Sequence, residues 1–250
     1  MLRLDRFLCE CDASLTRKTA KDLLRSGAVT LNGKVCTDPG EKIAPEEDTV
    51  TIRGEVLKYR KYRYFLLNKP AGVLSASNDR KAKTVIDLIP EAGDGYFPVG
   101  RLDRDTTGLL LITNDGPLAH ELLSPKKHVP KTYLAECSPG VSEEACERLR
   151  EGIALEDFTT MPARVNRLVS QPEETVLAIT IQEGKYHQVK RMVAAAGSEV
   201  RTLRRIRMGE LWLPADLAEG DYLELEQAEL LQNLFEDKNE DEERLLRSYL

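Results

Sequence analysis

Beyond residue 64 the sequence breaks into short apolar segments of strand length, at 64–68, 109–113, 131–136, 175–182 and 222–225. Helical patterns sit between them, near 83–89, 117–123, 142–151 and 187–196. The two kinds are mixed without the regular βαβ spacing that a parallel sheet needs. That mixture confines the region to an α+β fold, a largely antiparallel mixed sheet flanked by helices. "NKPAG" and "DGPLA" are the turn signals between segments. No apolar stretch approaches the length of a membrane span, so no membrane partner is expected.

The first sixty residues read differently. "LDRFLCECDA" spaces Leu4, Phe7 and Leu8 as a short helix does, and "LTRKTAKDLLRSG" gives a second, with Thr16 as N-cap and Gly27 as C′ residue. Arg17, Lys21 and Arg25 recur every four residues and share one face, while Ala20, Leu23 and Leu24 turn to the other. On an isolated helix such a basic row is a solvated face. Here it is followed by "AVTLNGKVC", a strand, an Asn-Gly hairpin turn and a second strand, and by "DTVTIRG", a third strand with strict alternation. "EVLKYRKYR", at 55–63, has no turn of its own and reads as a linker; it suits a phosphate backbone and an ordinary connector equally.

Charge is distributed unevenly along the chain of 250 residues. The net value is −6, yet residues 219–250 carry eleven acids against three bases, a local −8, which leaves +2 for the rest. Residues 185–207 hold seven Lys or Arg against Glu199 alone, a local +6. Local sign decides what a surface attracts, so a nucleic-acid partner stays open despite the acidic total. The acidic end, "EDKNEDEERLLRSYL", reads as a mobile tail or a surface helix. The N-terminus is charged within three residues and has no apolar h-region, and the five cysteines show no CxxC spacing. A cytoplasmic protein without a disulfide framework is expected.

Two segments carry candidate chemistry. In "GRLDRDTTGLLLITNDG", residues 100–116, Asp103 and Asp105 alternate with Arg101 and Arg104 ahead of an apolar run. If that stretch is extended, both carboxylates face one cleft, with Arg104 outward and Arg101 beside them. The plainer alternative makes one acid a turn cap through Thr106 or Thr107 and the other an exposed ion-pair partner; periodicity does not decide between them. In "EGKYHQVKRMVAAAG", residues 183–197, His187 begins a helix and Lys190 and Arg191 sit on its first turn. Cations there oppose the helix macrodipole and call for a partner anion, a phosphate or a carboxylate. "RTLRRIR" then crowds Arg201, Arg204, Arg205 and Arg207 together, a density that RNA backbone relieves. His120, His128 and His187 match no ligand spacing, so no metal is expected. Trp212 reads as core.

Taken in order, "NKPAG", "GRLDRDTTGLLLITNDG", "KTY" (131–133) and "GKYHQVKRM" (184–192) resemble the motifs of the pseudouridine synthases. Residues 2 to about 54 resemble the S4 RNA-binding domain. The combination is similar to the rRNA-modifying branch with an N-terminal S4 domain, and its wording is nearest the small-subunit (16S) members of the bacterial RsuA family. The resemblance covers about residues 2–230. It implies an α+β chain with an S4 domain and linker at 1–60, a synthase domain at 61–233 and an acidic tail at 234–250. It implies Asp103 as the catalytic residue, Asp105 as a structural residue of the next turn, and Tyr133 as the ring stacked on the target base. Lys190 would pair with Asp103; much of the wider superfamily has Arg at that position, and here Arg191 follows, so either cation could hold the carboxylate. Ile179 or Ile181 would pack on the flipped base, with Arg101 completing the substrate contacts. RNA contacts are expected from Arg3, Arg6, Arg17, Lys18, Lys21, Arg25, Lys34, Arg204 and Arg205. The implied partner is ribosomal RNA or a small-subunit assembly intermediate, met by a monomer.

The chemistry is consistent with these roles. Uridine isomerisation breaks the N1–C1′ bond, turns the base and joins C5 to C1′, with no cofactor and no metal. The chain has no GxGxxG or phosphate loop, and none is required. A carboxylate can attack C1′ or take the C2′ proton. Either route needs an ionised aspartate in a closed pocket, which a neighbouring cation favours. Extruding the base costs a few kcal/mol, offset by an aromatic face and backbone contacts. The rivals are a synthase acting on 23S rRNA and a non-catalytic S4-type ribosome-binding factor.

Overall fold

In the computed structural model the described residues are 1–12, 14–138, 140–171, 174–236 and 242–250. They form two compact units, Met1–Tyr62 and Arg63–Leu250.

The first unit holds β1 (Leu2–Arg3), α1 (Leu4–Cys11), α2 (Arg17–Arg25), β2 (Val29–Leu31), β3 (Lys34–Val35), β4 (Lys42–Ile43), β5 (Val50–Ile52) and β6 (Glu55–Val56). A capping box between Thr16 and Thr19 starts α2, and Gly27 follows its end at φ 75°. Asn32 and Gly33, both at positive φ, make the tight turn between β2 and β3. The strands run β3-β2-β5-β6, and Leu4, Phe7, Leu8, Ala20, Leu24, Val29, Ile43 and Val50 form the core. The segment 55–63 is not the bare linker that its composition suggests. It begins in β6, and Tyr59 stacks on Phe7 with ring centroids 5.5 Å apart.

The second unit is built on one sheet ordered β11-β12-β10-β13-β9-β7-β15. Its members are β7 (Tyr64–Lys69), β8 (Phe97–Pro98), β9 (Thr107–Thr113), β10 (Lys131–Ser138), β11 (Arg164–Ser170), β12 (Thr175–Ile181), β13 (Glu199–Met208), β14 (Leu211–Trp212) and β15 (Tyr222–Leu225). Pairing is antiparallel except between β13 and β9. The helices are α3 (Gly116–Leu123), α4 (Glu143–Glu151), α5 (Gln188–Ala195), α6 (Gln227–Phe235) and α7 (Glu242–Arg247). Every residue of β7 and all but the first of β9 are buried, which is why these strands read as continuous apolar runs. One sheet face packs Ala135, Cys137, Leu177, Ile179 and Leu203 against α4 and α5. The other presents Leu134, Ala178 and Ile206 to Leu246 of α7.

Two expectations are corrected here, and one alternative is decided. The helix near 83–89 is only a 3-10 turn, Ile86–Leu88, beside a bridge between Leu74 and Thr84. The basic run at 201–207 is the interior strand β13, whose arginines lie along the sheet. Of the two readings of the acidic end, mobile tail or surface helix, the helix is the one observed. Residues 237–241 of that end lie outside the described residues, but α6 runs to Phe235 and α7 seats Leu246, 1% exposed, on the sheet.

Candidate active site

Residues 101–106 form a loop leading into β9, and the chain around it is built to hold that loop still. Lys69 ends β7 with its side chain fully buried, and its Nζ donates to carbonyls of Pro70 (3.0 Å), Asp103 (3.1 Å), Arg104 (3.3 Å) and Thr106 (2.9 Å). Burial lowers its pKa to about 8, so the amine is still protonated at neutral pH and its three N–H donors meet four carbonyls. The "NKPAG" turn adds a clamp: Gly72 N–H donates to Arg104 O at 2.7 Å, and Arg104 Nε donates back to Gly72 O at 3.0 Å. Ser75 Oγ donates to Leu102 O and accepts from Leu102 N–H. Asp103 therefore stands on backbone fixed from three sides.

The loop is a turn rather than an extended stretch, with Thr106 N–H donating to Asp103 O at 3.1 Å. The two acids consequently differ. The Asp103 carboxylate is 28% exposed at the pocket, while Asp105 is 75% exposed. One cation nevertheless reaches both. Lys190 Nζ lies 3.3 Å from Asp103 Oδ2 and 2.7 Å from Asp105 Oδ1. Its hydrogen bond is the main reason that the Asp105 pKa is held below the ordinary carboxylate value. These carboxylates are the anions that a lysine on the first turn of α5 requires.

His187 precedes α5 in a left-handed conformation, φ 47°, and brings Nε2 to 3.4 Å from Asp103 Oδ1. The pocket over Asp103 is lined by Arg101, Thr106, Tyr133, Ile181, His187 and Leu203, among others. Tyr133 stands on β10 opposite Ile179 of β12, and it packs against the cores on both sides of it. Of the two isoleucines weighed from the sequence, Ile181 lines the pocket and Ile179 is fully buried core.

Other candidates go elsewhere. Arg191 pairs with Asp157 and lies over the ring of Phe158 at 5.4 Å, so the cation beside Asp103 is Lys190. Arg205 is 2% exposed, and its Nε donates to Leu109 O at 2.7 Å inside the sheet. Arg204 lies over Tyr249 at 5.7 Å, and buried Arg207 pairs with Glu210 and Glu242. The density at 204–207 is thus relieved within the protein, by aromatic faces, carbonyls and the acids Glu210 and Glu242, with aliphatic stems buried along β13, while Arg201 is exposed. Arg205 presents no open basic surface, and Arg204 is half-buried. In the first unit Arg17, Lys18, Arg25 and Lys34 are exposed and Lys21 is half-buried. Arg3 chelates the buried Asp5 through two N–H donors at 3.1 Å each, and Arg6 pairs with Glu10 at 2.7 Å. Sequence reasoning missed the roles of Lys69 and Gln188. The signal for Lys69 was a lone cation ending the apolar run "YFLLNK".

Comparison with known proteins converges on one family. The sequence profile of the RNA pseudouridylate synthase family matches residues 63–195, and that of the S4 domain matches residues 2–50. The chain is 44% identical to the uncharacterized RNA pseudouridine synthase YtzG of Bacillus subtilis, over 92% of this chain and 97% of the relative. It is 41% identical to ribosomal small subunit pseudouridine synthase A of Vibrio vulnificus, over 92% of this chain and 98% of that one. A crystal structure of a pseudouridylate synthase superposes with a TM-score of 0.62 at 39% identity, covering 93% of this chain and all of the other.

Proposed function

Because the chain belongs to the RNA pseudouridylate synthase family and carries an S4 domain before the synthase domain, we propose that it isomerises a uridine of 16S ribosomal RNA to pseudouridine. The observation that carries this reading is the convergence of Asp103, Tyr133 and Ile181 on one pocket, from a loop and two strands, with Lys190 of α5 3.3 Å from the Asp103 carboxylate. The flipped base lies on the Tyr133 ring and against Ile181, with its ribose toward Asp103. The Asp103 carboxylate either attacks C1′ or removes the C2′ proton, and the N1–C1′ bond breaks. The base turns and C5 bonds to C1′ as the Asp103 carboxylate leaves C1′, or as it returns the proton to C2′; the C5 proton then leaves and N1 gains one, so the product is an isomer. Lys190 bridges the carboxylate pair, offsets one of its two charges and holds Asp103 in place; Lys69 fixes the backbone beneath it. Preorganisation of this kind supplies much of the rate, since a displacement near 1 Å costs about 100-fold.

The substrate is a single-stranded or looped region, because the A-form duplex hides its bases. It is free 16S rRNA or a small-subunit assembly intermediate in the cytoplasm, bound by one copy of the chain. The S4 domain, residues 1–60, contributes backbone contacts through Arg17, Lys18, Lys21, Arg25 and Lys34. Incubation with 16S and 23S transcripts and with partly assembled small subunits, followed by carbodiimide mapping, tests the assignment. One new pseudouridine in 16S rRNA is expected. A product confined to 23S rRNA moves the assignment to the large subunit, and none in either contradicts it.

A further inference from the structure

Tyr186 is 77% exposed, between Lys185 and His187, which both line the Asp103 pocket, although such a ring is ordinarily tucked away. It is not a loose side chain. Its inner face is covered by His187, with ring centroids 3.8 Å apart and planes 16° from parallel. His187 is itself held at φ 47°, a conformation costly for a non-glycine residue, with Nε2 3.4 Å from the Asp103 carboxylate. The backbone between them is braced. The buried Gln188 side chain accepts from Lys185 N–H at 3.0 Å and donates to Glu183 at 2.6 Å. Arg191 donates to Tyr186 O at 3.4 Å. The outer face of Tyr186 is therefore presented at a fixed place, one residue from a group that touches the catalytic carboxylate.

Extrusion of a nucleotide leaves its neighbour without a stacking partner, and an open aromatic face is the surface that replaces one. We propose that Tyr186, backed by His187, stacks on the base adjacent to the flipped uridine. This rests on the reading that Asp103 serves a flipped uridine. It makes Tyr186 a positioning residue for the RNA, tolerant of base identity because every base offers a ring face.

The test uses the full-length enzyme and an rRNA fragment carrying the uridine that the wild type modifies. Tyr186→Ala should lower kcat/KM by about ten-fold or more, chiefly through KM, in line with stacking losses per base. Tyr186→Phe should restore most of that loss. An abasic residue is then placed on each side of the target in turn. The wild type should lose a comparable factor at one side only, and Tyr186→Ala should lose nothing further there. Wild-type kinetics in Tyr186→Ala, or losses that combine in full at both sides, overturn the proposal while the synthase reading stands. A wild type that modifies neither rRNA overturns that reading and this one with it.

Discussion

Lys69 carries more of the site than its position in a turn motif suggests. Its ammonium is the shared donor for three carbonyls of the loop that carries Asp103. Lys69→Met leaves those oxygens without it, at roughly 1–3 kcal/mol for each buried acceptor stranded. Steady-state kinetics should show kcat down by about ten-fold or more with RNA affinity retained, because the loop shifts while the RNA surfaces stay. The amine also predicts a pH dependence. Its pKa in the fold is about 8 against an ordinary 10.5, so between those values the unfolded chain binds more protons. Stability contributed by this group therefore rises with pH over that window. Urea denaturation at pH 7 and pH 10 should show the wild type gaining on Lys69→Met at the higher pH; a constant gap would contradict the burial of a charged amine.

At the scale of elements, the parallel pair β9–β13 brings the loop strand onto the sheet, and Gly108 permits the contact. Its φ is 100°, and a Cβ there would lie 2.1 Å from Arg205 O. Gly108→Ala should cost about 3 kcal/mol or more, seen as a lowered Tm or as insoluble protein. Gly116→Ala, where nothing lies within 4 Å, should change Tm little. The strands with unbroken apolar runs, β7 and β9, were legible in the sequence, as were the Asn32-Gly33 turn and the Thr16 cap. β13 was not. Its inward positions include Arg205 and Arg207, whose stems are buried while their heads find carbonyls and acids from distant segments. Charge density looks like surface in one dimension, and only the fold supplies the partners. The same limit applies to the site. Proximity of Asp103, Tyr133 and Lys190 entered through the family resemblance, since no spacing rule joins a loop, a strand and a helix so far apart in sequence.

For the whole molecule, the charge asymmetry of the sequence has an internal use. The acidic end folds back so that Glu242 meets Arg164 and Arg207, while Tyr249 stacks on Trp212 and reaches Leu213 O. Leu246→Ala should cost about 2–4 kcal/mol and lower Tm by several degrees, against no change for a dangling tail. Deleting residues 237–250 should do more, by baring Leu134, Ala178 and Ile206. Both losses belong to stability, because α7 packs on the sheet face opposite the Asp103 pocket. The full chain then offers one decisive experiment on the reaction itself. Tritium release from rRNA labelled at C5 of uridine follows departure of the C5 proton. The wild type should release label in proportion to pseudouridine formed, whereas Asp103→Asn should bind the same RNA with similar affinity and release none. Appreciable turnover by Asp103→Asn would contradict the role of that carboxylate.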